Sequence, residues 1–286
     1  MDTNEVLHTA TRSSTYILPS DEAEKERLLL QHRILKKTYE NRLFLAPVTL
    51  APGDHVLDSG TGGASWLLDL ARRVSPEVFL HGIDIESRIF PSNHAPNIHL
   101  STDSITKLPA SWSSTFTLVH QRHLILGLTF QDWQAAFKEM YRIIIPGGWV
   151  NLLEGLMDVA QYKWTAGPAT LRLFTVVCAL ILARGMIPDL PLHLPALLEE
   201  AGFINIHVEE RGVTVYGQEG ADMRENTYRA MMTMKALVMN TGGLGFVKSA
   251  EEYENLVNAA SKEWSETPEA AFQFFVVYAQ KPSVLS

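Results

Sequence analysis

Cysteine is almost absent from this sequence: Cys178 is the only one in 286 residues. A single cysteine excludes an internal disulfide framework and a zinc site built from several thiolates. Cys178 lies inside the apolar segment 173–183, so we interpret it as a small core residue and not as a nucleophile. We expect no metal site in this protein.

Long hydrophobic runs are missing as well. The most apolar segment, residues 173–183, is about half of the roughly 20 residues that a membrane-spanning helix needs. Residues 1–15 are polar and contain both acids and bases, which is not typical of a secretory signal. We therefore expect a cytoplasmic protein with no membrane partner.

Positive charge is in deficit. The sequence has 24 Lys and Arg against 32 Asp and Glu, a net charge of −8 with neutral histidines. This balance argues against a protein whose main role is to bind nucleic acid phosphates. The chain is 46 % hydrophobic and long enough for one large α/β domain or two small ones. We expect a globular protein that acts on a small molecule.

Short apolar segments alternate with helical segments in the first half of the chain. A helix is predicted within residues 20–46, before Pro47. The strands that follow are predicted at residues 55–57, 78–83, 98–101, 116–119 and 149–153, with helices at 64–74 and 131–144. Strands that alternate with helices are typical of a parallel, doubly wound sheet.

The second half of the chain has a different pattern. Residues 155–190 are predicted to be helical and apolar, and a helix is predicted at 194–201. Residues 203–216 and 272–280 are rich in β-branched and aromatic residues and are predicted to be strands, with a helical insertion at 220–265 between them. We expect the last strand to pair antiparallel at the edge of the sheet.

A glycine-rich segment follows the first predicted strand and precedes a helix. It has the pattern D-x-G-x-G, formed by Asp58, Gly60 and Gly62. A nicotinamide fingerprint would need its third glycine where this chain has Ser65. The negative charge of the Asp58 carboxylate would repel a pyrophosphate. It suits a ligand with a cationic amino group, such as S-adenosylmethionine. The alternative is a simple glycine turn.

Two further acids follow successive strands. Asp84 ends the second strand, where a carboxylate can accept hydrogen bonds from both ribose hydroxyls of a nucleoside. Asp103, followed by Ser104, ends the third strand, where an adenine amine would need an acceptor. Each acid alone could be a solvated loop residue or a helix cap. Three acids after successive strands favour a nucleoside site at one edge of the sheet.

Motifs within residues 15–155 carry a resemblance to a known family. They are Tyr16-Ile17-Leu18-Pro19-Ser20-Asp21-Glu22 with Arg27-Leu28 and Gln31-His32, Asp58-Ser59-Gly60-Thr61-Gly62 with Trp66, Gly82-Ile83-Asp84-Ile85, Val119-His120-Gln121-Arg122 with Trp133, and Tyr141-Arg142 with Pro146-Gly147-Gly148-Trp149-Val150 and Glu154. In these the chain resembles the class I S-adenosylmethionine-dependent methyltransferases, and more narrowly the fungal secondary-metabolism group called LaeA-like or UMTA-like. It departs from the family at Ala64, where a third glycine is usual, and at Ile144-Ile145, where Leu-Lys is usual.

The resemblance implies a fold and a cofactor site. The fold is a Rossmann-like, seven-stranded doubly wound sheet with its last strand antiparallel, a helical N-terminal arm and helical lid insertions. We expect one domain, with residues 1–50 as the arm, 51–155 as the cofactor-binding core and 156–286 as the substrate cap plus the last strands. The cofactor-binding residues are expected to be Tyr16, Asp58, Ser59, Gly60, Gly62, Asp84, Ile85, Asp103, Ser104 and His120.

Two of these assignments have alternatives. By resemblance, Tyr16 closes over the cofactor, but it could equally pack the arm on the sheet. His120 and Arg122 belong to the family pattern, so they are assigned to supporting the cofactor or the fold.

His123 is the first candidate for a general base, because the segment after the fourth strand is where the methyl group should project. The alternative is a histidine whose hydrogen bonds are satisfied on the following element. His193 and His207 are weaker candidates. The Asn/Asp-Pro-Pro-aromatic sequence of amino-methylating DNA enzymes is missing from this segment.

The expected activity is methylation of oxygen or nitrogen in a small, largely apolar natural product. Its pocket would be covered by helical segments that include the methionines Met223, Met231, Met232, Met234 and Met239. One alternative is a non-methylating cyclase or rearrangement enzyme that uses the sulfonium as a fixed charge. Another is a regulatory binding protein, as the LaeA resemblance suggests. The oligomeric state is left open, with a homodimer among the alternatives.

Overall fold

The computed structural model describes residues 22–283, which form one mixed sheet covered by helices on both faces. Within this range there are seven strands: β1 (His55–Ser59), β2 (Phe79–Asp84), β3 (Ile98–Thr102), β4 (Phe116–Arg122), β5 (Ile144–Gly155), β6 (Ile204–Thr214) and β7 (Ala271–Gln280). Their spatial order is β3-β2-β1-β4-β5-β7-β6. Strands β1 to β5 are parallel, and β7 is antiparallel to both of its neighbours. The expected seven-stranded doubly wound fold is confirmed.

The expected position of the last strand is wrong. Strand β7 lies between β5 and β6 and not at the edge of the sheet. Its side chains are almost all buried, whereas β6 is largely exposed and carries Glu209, Glu210 and Arg211. A strand that is apolar on both faces is stable only when it is covered on both sides, and charges suit an edge strand because they oppose further pairing.

The helices of the described chain are α1 (Glu22–Thr38), α2 (Ser65–Leu70), α3 (Phe130–Ile143), α4 (Pro168–Ala183), α5 (Leu190–Glu200), α6 (Ala221–Thr233), α7 (Lys235–Asn240) and α8 (Ala250–Glu266). Helix α6 packs on α1 and α8, and α4 packs on α8. None of these helices is both long enough and apolar enough to cross a bilayer. The face of the sheet under α2 and the face under α3, α4 and α5 each carry a hydrophobic core.

Three predicted helices are shorter in the structure, and one of them is α2, which ends at Leu70 and not at residue 74. Helix α1 ends at Thr38 because Glu40 and Asn41 adopt left-handed backbone angles, with φ of 50° and 64°. The segment between β5 and α4 is irregular apart from a 3₁₀ turn at Val159–Gln161. Pro168 then begins α4, since proline lacks the N–H that a later helical position would use.

Candidate active site

The carboxyl ends of β1, β2, β3 and β4 meet at one edge of the sheet and border a cavity of about 170 Å³. Seven of the residues predicted to bind a cofactor line this cavity: Ser59, Gly60, Gly62, Asp84, Ile85, Asp103 and Ser104. Tyr16 lies outside the described residues. The edge is therefore the candidate site, and most of its polar groups come from the strand ends that the sequence indicated.

The loop after β1 needs its glycines. Gly60 and Gly62 have φ of 68° and 52°, the left-handed region that glycine adopts without a steric penalty. A Cβ on Gly60 would lie 2.7 Å from Cδ2 of Leu124, and one on Gly62 would lie 3.3 Å from Cδ1 of Leu28. The bare backbone thus leaves room at the floor of the cavity. Ala64 also has a positive φ, 56°, which gives a steric reason for a glycine at this position.

Asp84 connects this loop to β2. Its Oδ2 accepts a hydrogen bond from the Gly62 N–H at 2.9 Å, and its Oδ1 accepts one from the Glu86 N–H at 3.1 Å. Burial raises the pKa of the Asp84 carboxyl, although these N–H groups act in the opposite direction. Each oxygen keeps lone pairs for a ligand hydroxyl. Asp103, by contrast, accepts a hydrogen bond from the Ser101 hydroxyl at 2.6 Å.

Asp58 and His120 lie beneath the loop and are not part of the cavity wall. Asp58 Oδ1 is 2.7 Å from Nδ1 of His120, and its Oδ2 accepts the Thr61 hydroxyl at 2.7 Å. The His120 ring stacks on Trp66, with ring centroids 3.8 Å apart. Burial lowers the pKa of His120, so a neutral ring that donates from Nδ1 is expected. Both residues hold the glycine loop in position from below.

His123 follows β4 and lines the cavity with a left-handed backbone, φ 55°. Its ring meets the edge of Phe274, and its Nε2 is buried without a hydrogen-bond partner among the described residues. Burial, followed by the charges of Arg122 and Arg27, lowers the pKa of His123 to about 3. The ring is therefore neutral at neutral pH. A non-glycine residue with positive φ is uncommon, and such residues concentrate at functional sites.

Glu154 holds the turn that carries His123. The carboxylate is fully buried and accepts the N–H groups of Leu124 at 2.8 Å and Ile125 at 3.1 Å. Burial raises the pKa of Glu154 to about 8. The sequence placed Glu154 in a motif without a role, because its burial depends on the layers that form on both sides of β5.

The cavity continues from this edge into an apolar region bordered by α4, α6 and β7. It is lined there by Leu156, Met157, Tyr162, Phe174, Met223, Met231, Met234, Phe272 and Phe274. Three of the five predicted methionines thus contribute, whereas Met232 and Met239 only pack against the core. Half-buried Cys178 donates to the Met157 carbonyl at 3.4 Å, and burial raises the pKa of its thiol to about 12.

Two polar features of the apolar region were not identified from the sequence. Gln273 is 4 % exposed, lines the cavity, and has a buried Oε1 without a partner among the described residues. The available signal was a glutamine near the start of β7, among apolar and aromatic residues. Arg27 on α1 binds Glu24 through two hydrogen bonds of 2.7 and 2.6 Å and reaches Asn226 on α6 at 3.3 Å. This contact joins the two helices beside the cavity.

The weaker histidine candidates lie elsewhere. His193 contacts Asp189 on the exposed side of α5, and the His207 ring stacks on Tyr278. Neither histidine lines the cavity.

Known proteins resemble this chain along most of its length. A family model described as a methyltransferase domain matches residues 56–148. The N-methyltransferase sirN of Leptosphaeria maculans is 31% identical over 284 residues, which is 95% of this chain and 96% of that protein. The N-methyltransferase tcpN of Claviceps purpurea is 29% identical over 273 residues, 91% of this chain and 95% of that protein.

A solved structure shares the fold. A putative methyltransferase from an antibiotic biosynthesis pathway of Anabaena variabilis aligns with a TM-score of 0.54 and 16% identity, over 92% of this chain and 99% of that one. The cavity is consistent with the cofactor of such enzymes: the glycines leave space for a nucleoside at the acidic edge, and Asp84 offers acceptor lone pairs. The chain belongs to the family of S-adenosylmethionine-dependent methyltransferases that includes sirN and tcpN, and S-adenosylmethionine is its cofactor.

Proposed function

We propose that this enzyme methylates a nitrogen atom of a small, largely apolar natural product in secondary metabolism. The observation that carries the proposal is the single cavity that runs from the acidic strand ends to the methionine- and aromatic-lined region under the cap. The names of sirN and tcpN as N-methyltransferases support nitrogen over oxygen. S-adenosylmethionine, when bound, supplies a methyl group activated by its sulfonium.

The cofactor is held, in this proposal, by the strand ends and the glycine loop. Asp84 accepts hydrogen bonds from the ribose hydroxyls, while Ile85, Asp103 and Ser104 surround the adenine. Gly60 and Gly62, with Ser59, form the floor on which the rest of the cofactor lies. Asp58 and His120 support that floor, and Tyr16 covers it from the N-terminal arm.

The substrate lies in the apolar region, where burial of its surface excludes water from the transfer. Positioning of the acceptor in line with the methyl group supplies much of the rate of such a displacement. His123 is proposed to touch the substrate: its neutral ring can accept a hydrogen bond from the acceptor N–H at the unpartnered Nε2. Gln273 offers a second acceptor to a polar substituent. With a pKa of about 3, His123 orients this N–H and does not retain its proton at neutral pH.

We also propose the functional division of the chain. Residues 51–155 bind the cofactor, and residues 156–286 cover the substrate and complete the sheet, so that both parts act as one domain. The partner is the small-molecule substrate, without nucleic acid or membrane.

The proposed acceptor can be tested directly. An extract of the source organism is incubated with the protein and S-adenosylmethionine that carries a ¹³C-labelled methyl group. A labelled N-methyl product, identified by mass spectrometry and carbon NMR, is the expected result. A labelled O-methyl product would contradict the nitrogen assignment, and turnover of the extract without formation of S-adenosylhomocysteine would contradict methyl transfer.

Replacing His123 by asparagine is expected to lower kcat for the identified substrate by about 10- to 100-fold, because a hydrogen bond to the reacting group and its orientation are lost. Asparagine tolerates the left-handed backbone at this position better than most residues do. Binding of S-adenosylhomocysteine, measured by calorimetry, should be unchanged. The variant His193→Asn is the matched control and should keep full activity. An unchanged kcat in His123→Asn would contradict the proposed hydrogen bond between His123 and the substrate.

A further inference from the structure

Arg122 is a cation at the cavity without an acidic partner. It ends β4 and lines the cavity beside the glycine loop, and it also borders a smaller cavity on the side of His32. None of the aspartates and glutamates in residues 22–283 lies within ion-pair distance of its guanidinium. The other arginine of the cavity wall, Arg27, is fully paired with Glu24. A guanidinium shielded from water is stable only when its donors are used, and a carboxylate is the partner that its geometry matches best.

The groups that do contact Arg122 are neutral. Its Nη1 donates to Nδ1 of His32 at 3.0 Å, and its Nη2 donates to the Ser65 hydroxyl at 3.1 Å. Burial and the nearby Arg122 lower the pKa of His32 to about 4, so the ring is uncharged at neutral pH. A neutral His32 accepts from Arg122 at Nδ1 and donates from Nε2 to Asp69, 3.1 Å away. The contacts therefore orient the guanidinium but leave its charge uncompensated.

The nearby carboxylates are engaged elsewhere. Asp69 lies behind His32, and its Oδ2 is also bound by Lys36 at 2.8 Å. Asp58 attracts Arg122 electrostatically, but its two oxygens are used by His120 and Thr61. No carboxylate of the described residues therefore pairs with Arg122, and a carboxylate from a ligand in the cavity would be a matching partner.

S-adenosylmethionine has one carboxylate, on the amino acid end opposite the adenine. If the ribose lies at Asp84 on β2, as proposed above, that end would lie along the glycine loop toward β1 and β4. Ser65, which begins α2 directly after this loop, also contacts Arg122. We infer that Arg122 binds the carboxylate of the cofactor and thereby sets the position of its sulfonium. The inference rests on the proposed placement of the ribose at Asp84.

The charge of Arg122 also favours one orientation of the cofactor. The α-amino and sulfonium groups are cations, so the guanidinium repels them and attracts only the carboxylate. A cofactor without this anion would lose the attraction and keep the repulsion. The prediction is selectivity for the carboxylate within the cofactor site, which a purely structural role of Arg122 would not give.

Binding of two probes, measured by calorimetry, distinguishes binding of the carboxylate by Arg122 from a purely structural role of this residue. One is S-adenosylhomocysteine, and the other is S-adenosyl-3-thiopropylamine, the same molecule without its carboxylate. The protein should bind the first about 10- to 100-fold more tightly, the range of a charged hydrogen-bonded pair. In Arg122→Met the affinity for S-adenosylhomocysteine should fall by a similar factor, whereas the affinity for the amine probe should stay constant or rise. Arg122→Lys keeps the positive charge but lacks the two parallel N–H donors of a guanidinium. Its affinity for S-adenosylhomocysteine should lie between those of the unaltered protein and Arg122→Met.

The controls keep a structural role distinguishable. Lys37→Met removes one positive charge from an exposed residue of α1 that lies outside the cavity wall and should leave the ratio of the two affinities unchanged. Thermal unfolding of each ligand-free variant checks the fold, and Arg122→Lys provides the readout where Arg122→Met does not fold. The inference would be overturned if the variants lost affinity for both probes by the same factor. It would also be overturned if the unaltered protein bound both probes with equal affinity. In either case the proposed cofactor site would remain intact. If the unaltered protein bound neither probe, the proposed cofactor site would fail together with the inference.

Discussion

The variant Glu154→Gln is expected to gain stability relative to the unaltered protein as the pH rises. The difference between their unfolding free energies should increase steadily from about pH 5 to about pH 8. Burial raises the pKa of Glu154 from 4.5 to about 8. Between these two values the folded protein holds a proton that the unfolded chain releases, so the free energy of unfolding falls as the pH rises. Glutamine cannot ionise and removes this dependence, by at most about 1.4 kcal/mol for each pH unit.

Other groups act in the opposite direction. Burial lowers the pKa of His32 and His81 to about 4 and that of His123 to about 3. Each therefore costs stability as the pH falls below about 6.5, because the unfolded chain then binds protons that the folded chain does not. These histidines titrate in both proteins, so the difference between the two unfolding free energies isolates Glu154.

Chemical denaturation at several pH values measures this difference. The amide of glutamine keeps one acceptor oxygen for the Leu124 and Ile125 N–H groups. One of these N–H groups therefore loses its acceptor, which lowers the unfolding free energy of the variant by an amount that does not depend on pH. Glu139→Gln is the matched control: Glu139 also accepts a backbone N–H, from Leu108, but its hydrogen bond with Arg142 lowers its pKa. The change in unfolding free energy caused by Glu139→Gln should be independent of pH above pH 6. A constant difference for Glu154→Gln would show that Glu154 ionises normally.

Replacing Asp84 by asparagine is expected to weaken binding of S-adenosylhomocysteine by about 10- to 100-fold, since hydrogen bonds to a charged acceptor contribute about 1.5–3 kcal/mol. Asparagine retains an oxygen that can accept the Gly62 N–H, so the glycine loop should keep its conformation. Calorimetry gives the affinity, and thermal unfolding confirms the fold.

Glu86→Gln serves as the control for Asp84→Asn. Glu86 lines the same cavity two residues later, but its carboxylate is paired with Arg88 at 2.8 Å. Its replacement should change the affinity by less than a factor of about three, as is usual for exposed ion pairs. Equal affinities of folded Asp84→Asn and the unaltered protein would place the ribose elsewhere.

The acidic edge could be predicted because it depends on local order in the chain. In a parallel sheet the carboxyl ends of neighbouring strands lie together, so Asp84 and Asp103 had to share an edge once their strands were recognised. The same rule led to the glycine loop and to His123. Each of these residues lies within a few positions of a strand end, where the sequence pattern is strongest.

The remaining features depend on contacts between distant segments. The position of β7 inside the sheet depends on its pairing with both β5 and β6, and the sequence of β7 alone does not specify which strands it pairs with. Arg122 belongs to a recognisable motif, but only the packing of α1 and α2 shows that its partners are neutral. Gln273 and Glu154 became significant for the same reason, since burial determines whether their polar atoms are satisfied.

The helical segment between β6 and β7, residues 215–270, begins and ends at neighbouring positions of the sheet. The chain leaves β6 at Thr214 and returns at Ala271, and these two residues are direct partners in the ladder between β6 and β7. The intervening segment can therefore be exchanged without a change of strand register. If this segment covers the substrate, as proposed, insertions in it would alter the accepted substrates while the nucleoside edge stayed constant. The same junction is suited to grafting this segment from one relative onto the sheet of another.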